Sequence, residues 1–438
     1  MAQPTLEGLP VELHISILFT LPDLNSLWSL ILASPTYYGA YQLVQKELLQ
    51  TLLHKHYAGL VNIADAIAAI RSKGLYAGDM SNKEKIIALL DARRRSEEIR
   101  RLGLISGPLP DEPADLQETM QLLRLHNQAI VFLDDYCTSA KRPAWIDETE
   151  WNNDIVPLVL SETEKRRILR AFYRLQIHCN IFGALEHSPD EDSGYISDDN
   201  EWYAKNKTFS GEEMWHLFFS PMAPWEIEEF GCLWEHCCYR YEAILAEISD
   251  SYIKIGFTFL RELPKDQQPP RACVYGDCDD FRFSVNKRES LASKGPALLP
   301  DVLREDDFLA RRNLVVVNVR WTRDYFYDFD YWPRPDFGPG EVHLLYPADQ
   351  FDFGTDMDGL RKLLETLLPW ERPNLAWERR WSRDDNDFPQ LFWDMFEYGA
   401  DNKHWRWGYA FWENERVIEW KMPMLADDYP FADSSGEI

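Results

Sequence analysis

Two short runs hold the soft ligands of the chain. CLWEHCC gathers Cys232, His236, Cys237 and Cys238, and CVYGDC pairs Cys273 with Cys278. Thiolates and imidazole at close range are the donor set of structural zinc, which favours short paired spacings such as C-x2-C around a tetrahedral ion. Neither run has that spacing. CLWEHCC also falls inside a helical pattern, where Cys237 and Cys238, adjacent in sequence, point in different directions. Buried, inert cysteines are the expected reading, so no metal ligand and no cofactor is assigned. Seven cysteines spread over 438 residues make no disulfide framework, and a reducing cytoplasm or nucleus suits them.

Carboxylates supply the second candidate chemistry. Asp324, Asp328 and Asp330 crowd DYFYDFDYW, and Asp279 and Asp280 follow Cys278 directly. Paired acids hold divalent cations or act as acid and base. No histidine at suitable spacing completes either set, and among 73 Asp plus Glu some clusters arise by chance. The rings in the same run read better as packing or binding surface, because Tyr and Trp bury large area while keeping a polar handle. The sequence has no Gly-rich phosphate loop, no G-x-S-x-G elbow and no H-E-x-x-H helix. No catalytic residue is assigned, and a metal-dependent enzyme using the acidic-aromatic segment stands as the third-ranked reading.

Net charge narrows the partners. The total is −27, from 46 Lys plus Arg against 73 Asp plus Glu. The first 105 residues hold 11 basic and 10 acidic side chains, so the remainder carries 35 against 63 and with them all of the imbalance. Such a field repels phosphate backbones and anionic lipid; nucleic acid and membrane surfaces are not expected partners, whereas proteins or peptides are. The bland alternative is that acidity only keeps an aromatic-rich chain soluble. No apolar run reaches the ~18 residues of a membrane helix. MAQPTLEGLP lacks the basic start and apolar stretch of a secretory signal.

The elements that must position any surface begin at once. Pro10 suits a first helical turn, and Val11, Leu13, Ile15, Ile17 and Leu18 then spread over more than half of the helix circumference, leaving Glu12, Ser16 and Thr20 on the wet side. After Leu21 and Pro22, Asp23 caps a second helix with Leu24, Leu27, Trp28 and Ile31 at i, i+3, i+4 and i+7. Ser34 and Pro35 repeat the cap-plus-proline start for a third, whose stripe is Tyr37, Tyr41, Val44, Leu48 and Leu52. About fifty residues lie near the lower limit for independent stability and cannot hide so wide an apolar arc. The unit needs a partner, in cis or in trans.

The expected fold is mainly α: a three-helix unit over residues 6–53, then an irregular helical body with at most a few short strands. The body divides into a helical region 54–185, an acidic loop 186–203, a second helical region 204–263 and an aromatic-rich C-terminal region 264–430. The helix over 81–102 closes in ARRRSEEIRR, read as a solvated, salt-bridged face. Ser161 opens a long helix with Glu164 three residues on, the spacing of a capping box. The acidic loop carries seven acidic residues between Glu186 and Glu201 and no Lys or Arg, with Ser188, Ser193, Tyr195 and Ser197 as candidate phosphorylation positions. LVVVNV, 314–319, and EVHLLY, 341–346, read as short strands, with helix as the open alternative.

The opening also resembles a known family. L-P-x-E-L, then I-L, then L-P-x-L, with apolar positions running into a third helix, resembles the F-box: Leu9, Pro10, Glu12, Leu13, Ile17, Leu18, Leu21, Pro22 and Leu24 stand where that motif has its marks. The similarity covers about residues 6–53. Its later part, ILASPTYYGAYQLVQKELL, is similar to the F-box-like starts of many filamentous-fungal proteins, and RWGYAFWENERVIEW, Arg406 to Trp420, is similar to their ends. The resemblance implies a non-enzymatic adaptor of an SCF-type cullin ubiquitin ligase. Its first helices would dock on the small adaptor subunit, and through it on a cullin, while the body holds an unknown protein client for ubiquitin-dependent degradation. Leu9, Pro10, Leu13, Ile17, Leu18 and Leu24 are the expected adaptor-contact residues. The rival reading is an interaction scaffold without a ligase role, in which the same helices are packed into the chain's own body. Exposure of the first helix's outer arc, or its burial beneath residues 55–137, discriminates between the two.

Overall fold

Prolines and caps start the first helices where the sequence places them. The structure, a computed structural model, describes residues 6–58, 62–102, 112–183, 215–219, 222–256, 291–319, 357–381 and 405–423, together with Phe209, Phe259, Leu263, Pro264 and Arg288. Pro10 precedes α1 (Val11–Thr20), and the Leu13 and His14 amides both donate to its carbonyl. Asp23 caps α2 (Leu24–Ala33), its carboxylate accepting from the Ser26 amide at 2.7 Å. Pro35 sits in the first turn of α3 (Pro35–Tyr57). Ser34 does not cap α3 as expected; its hydroxyl donates to Glu7 Oε1 at 2.6 Å instead. α3 packs on both earlier helices, and its regular path breaks at Val44, where φ is −125° and ψ 15°.

The body is built around one helix. α4 (Ile63–Arg71), α5 (Lys83–Leu102) and α6 (Leu116–Ser139) lead to α7 (Glu162–Ile181). α7 opens with the expected capping box: Ser161 Oγ accepts from the Glu164 amide at 3.2 Å, and Glu164 accepts from the Ser161 amide at 3.0 Å. α4, α6 and α8 (Pro224–Ile255) all pack on α7, so fourteen of its twenty residues are buried. Charged residues on such a helix must find partners inside the protein. The far half of α3 docks on α6, with Leu48, Leu49, Leu52 and Leu53 buried and the Tyr57 hydroxyl donating to the Leu122 carbonyl at 3.0 Å.

α9 (Leu298–Leu303) lies on α6, and α10 (Phe308–Val319) follows it. Residues 314–319 are therefore helical, which corrects the strand reading in favour of its helical alternative. Asp307 explains the change: its carboxylate accepts from the Ala310 amide at 2.8 Å, while Arg311 pairs with Glu247 of α8 at 2.8 Å and Val315 is buried. A local cap and tertiary packing override the strand preference of three valines. Among the described residues there is no strand.

Two short helices, α11 (Met357–Thr366) and α12 (Leu375–Trp381), precede the last segment, which contains α13 (Asn414–Glu419). Residues 405–423 are not an appendage. Trp405 lies where any side chain on Gly231 of α8 would put its Cβ, 2.4 Å from the ring. Gly408 turns at φ +70° against the Tyr136 hydroxyl, a conformation and a proximity that both call for glycine. Arg416 donates to both oxygens of buried Glu164, at 2.6 and 2.8 Å, with the Trp412 and Trp420 rings each 5.6 Å from its guanidinium. The buried side chains from Leu18 to Met422 form one contiguous core.

Candidate docking surface

The N-terminal unit closes a small core of its own and leaves apolar side chains outside it. Leu18 of α1, Leu24, Leu27 and Ile31 of α2, and Tyr37, Ala40 and Tyr41 of α3 are buried. The Leu6–Gly8 turn is fixed to this core at two points: Glu7 by Ser34, and the Leu6 carbonyl by His14 Nε2, which donates to it at 2.9 Å. His14 is buried with its ring edge-on to Tyr37 at 4.8 Å. At 100° per residue, Leu13 and Ile17 run along one side of the His14–Leu18 stripe and Val11 and Ile15 along the other. Val11 is 42 % and Leu13 48 % exposed, while Ile15 and Ile17 are half-buried.

The six expected contact residues divide by exposure. Leu13 and Pro10 are exposed, Leu9 and Ile17 are half-buried, and Leu18 and Leu24 are buried. The last two are corrected: they face the unit's own core and offer no surface. Periodicity assigned them to an apolar face but could not tell which side of a wide arc would meet a neighbour. Sequence reasoning did not single out Leu6, Leu32, Tyr38 and Leu43, all exposed. The available signal was that they stand off the stripes of their own helices. Six of the seventeen exposed large apolar side chains among the described residues lie between Leu6 and Leu43, so this unit carries far more than its share of open apolar surface.

The interior of the body holds a buried ionic network. Asp65 of α4 accepts from Arg93 Nε at 2.6 Å and Arg174 Nε at 3.1 Å. Arg174 also meets Glu226 at 2.9 Å, and Arg170 bridges Glu226 at 2.7 Å and Glu229 at 2.6 Å. Arg167 donates to the Phe411, Trp412 and Arg372 carbonyls. Burial pushes the Glu229 carboxyl above the usual carboxylate range, with Arg170 and Arg167 opposing it. Arg93 was expected on a solvated face; it is buried, drawn in by Asp65, whose second carboxylate oxygen is already taken by Arg174.

The cysteine run lies inside this core. Cys232, His236, Cys237 and Cys238 are all buried, and no group of three or more potential metal ligands occurs among the described residues. Burial pushes the Cys237 thiol well above its ordinary value and holds the His236 imidazole below its own, despite Asp135 at 3.6 Å. Cys273, Cys278, Asp279, Asp280, Asp324, Asp328, Asp330, the acidic loop with its Ser and Tyr positions, and the 341–346 run lie outside the described residues. No helix among the described residues is long and apolar enough to cross a membrane. Comparison with family models, curated proteins and solved structures finds no match to this chain.

Proposed function

We propose that the chain is a substrate-recruiting adaptor of an SCF-type cullin ubiquitin ligase, with its F-box-like N-terminal helices docking on the ligase's small adaptor subunit and its body holding a protein client. The observation that carries this reading is the open apolar arc of α1. Val11 and Leu13 stand in solvent on a unit whose own core is already filled and whose leading turn is pinned by His14 and Ser34. Val11 and Leu13 are each a little under half exposed, so covering what remains open is worth about 1 kcal/mol per side chain, and a pre-ordered surface loses little entropy on docking. The internally packed scaffold predicts this arc covered by residues 55–137; the exposure of Val11 and Leu13 favours the adaptor reading over it. Catalysis, in this reading, belongs to the partner subunits.

The test is co-purification of the tagged chain from its own cells with identification of ligase subunits, run beside a Val11→Asp, Leu13→Asp variant. Recovery of adaptor and cullin with the parent but not the variant supports the proposal. Loss of neither, or absence of both from the parent, removes it.

A further inference from the structure

α11 and α12 are joined by residues 367–374, LLPWERPN, a connection held from several directions. The Glu371 amide donates to the Leu368 carbonyl at 2.8 Å, closing a turn with Pro369 second, where its fixed φ is favourable. Arg372 donates to the Leu367 and Glu365 carbonyls, Arg167 to the Arg372 carbonyl, and Trp225 Nε1 to the Glu371 carbonyl at 2.8 Å. Asn374, buried, donates to the Tyr409 and Trp412 carbonyls. Yet the apex is apolar and open, with Leu368 47 % and Trp370 36 % exposed on either side of exposed Pro369. A rigid, solvent-facing tryptophan is the side chain that most often dominates a protein–protein contact, and here its ordering cost is already met.

The charge beside it sets the sign of what fits. The Arg166 guanidinium lies 4.8 Å from the centroid of the Trp370 ring. Arg167, Arg170 and Arg174 on the same helix are all engaged by carboxylates or carbonyls. No described residue forms a hydrogen bond or ion pair with Arg166, and its Nε is buried without a partner. In a chain with 73 carboxylates, a guanidinium left without one beside an exposed Trp is a vacant half of a recognition pair.

We propose that the Leu368–Trp370 turn and Arg166 form a docking site for a protein segment carrying a carboxylate close to a large apolar side chain. Side chains two residues apart on one face of an extended strand are about 6.6 Å apart, close enough for one to reach the guanidinium and the other the indole 4.8 Å from it. The site is independent of the N-terminal surface, so variants there leave it unchanged.

The test is selection of a random peptide phage library on the full chain, with Trp370→Ala and Arg166→Gln as parallel baits and thermal unfolding as the fold control. Parent-selected peptides should share an Asp or Glu within two residues of Leu, Phe or Trp, and synthetic versions should bind Trp370→Ala about tenfold or more weakly. Arg166→Gln should keep the apolar preference and lose the acidic one, an outcome that a merely structural role for Arg166 does not produce. No enrichment on the parent, enrichment of basic peptides, or equal enrichment on folded Trp370→Ala would overturn the assignment. Should Trp370→Ala fail to fold, Leu368→Ala takes its place with the same expectations.

Discussion

Asp65→Asn is the sharpest perturbation of the interior. The Asp65, Arg93 and Arg174 side chains are 3, 6 and 4 % exposed, so water screens none of their charges. Arg174 keeps Glu226 at 2.9 Å after the exchange, but Arg93 retains no carboxylate among the described residues. Removing one partner of a buried pair costs about 3–5 kcal/mol, and the amide oxygen of Asn recovers part of it, so about 3 kcal/mol is expected. Against a total of about 5–15 kcal/mol for a folded domain, that is a large share. Arg93→Met, which leaves Asp65 paired with Arg174, should cost only about 1–2 kcal/mol. The double variant should fall short of the sum by about 1–3 kcal/mol, because Arg93 is the group that Asp65 rescues. Urea unfolding at pH 7, followed by tryptophan fluorescence and far-UV circular dichroism, measures all three. The cost should persist in 1 M salt, which screens exposed pairs but not these. A cost below 1 kcal/mol for Asp65→Asn, or strict additivity, would refute a buried and coupled network.

Acid should unfold the protein early. Burial, with the His56 ring 5.0 Å away, holds the His126 imidazole down to about 4, and burial holds His178 down to about 3. The unfolded chain takes up these protons near pH 6.5 and the native chain does not, so stability falls with pH through 6.5 to 4, by about 3 kcal/mol for His126 at the lower end. His126→Gln should flatten the midpoint-versus-pH curve in that window, and an identical curve would contradict the assignment. Arg416→Ala strips buried Glu164 of its cation and should cost about 3–4 kcal/mol, raising amide exchange over residues 405–423. Arg416→Lys should recover less than half, because an ammonium cannot reproduce the forked contact; full recovery would show that charge alone matters. Cys179, Cys232, Cys237 and Cys238 are buried, and burial pushes the half-buried Cys137 thiol up to about 11. Iodoacetamide at pH 7.5 should leave these five unmodified until urea is added, and rapid native alkylation of Cys237 would count against the packed core.

Legibility followed the range of the determining interaction. Helix starts at Pro10, Asp23 and Pro35 and the Ser161–Glu164 box were readable because each depends on neighbours within three or four residues. The side of a helix that faces inward was not, and Leu18 and Leu24 passed for surface for that reason. Nothing local announces that Arg416 will meet Glu164, 252 residues earlier. One signal was present and unused: Arg167, Arg170 and Arg174 stand at i, i+3 and i+7 on α7, interleaved with apolar residues. Glu226 and Glu229 stand at i, i+3 on the next. Matching charged stripes of opposite sign on two helices that pack together mark a buried ionic seam. For the docking surface the width of the α1 arc was visible in the sequence, but its openness depends on what later segments pack against it, a tertiary property.

Calorimetric titration of the purified full chain with the purified ligase adaptor subunit tests the central claim most directly. The parent should bind. Val11→Asp with Leu13→Asp should weaken binding about 100-fold or more at an unchanged thermal midpoint, since each exchange loses about 1 kcal/mol of apolar burial and sets an unpaired carboxylate against the partner. A parent that does not bind, or a folded double variant that binds as well as the parent, would contradict the assignment of this surface to the adaptor.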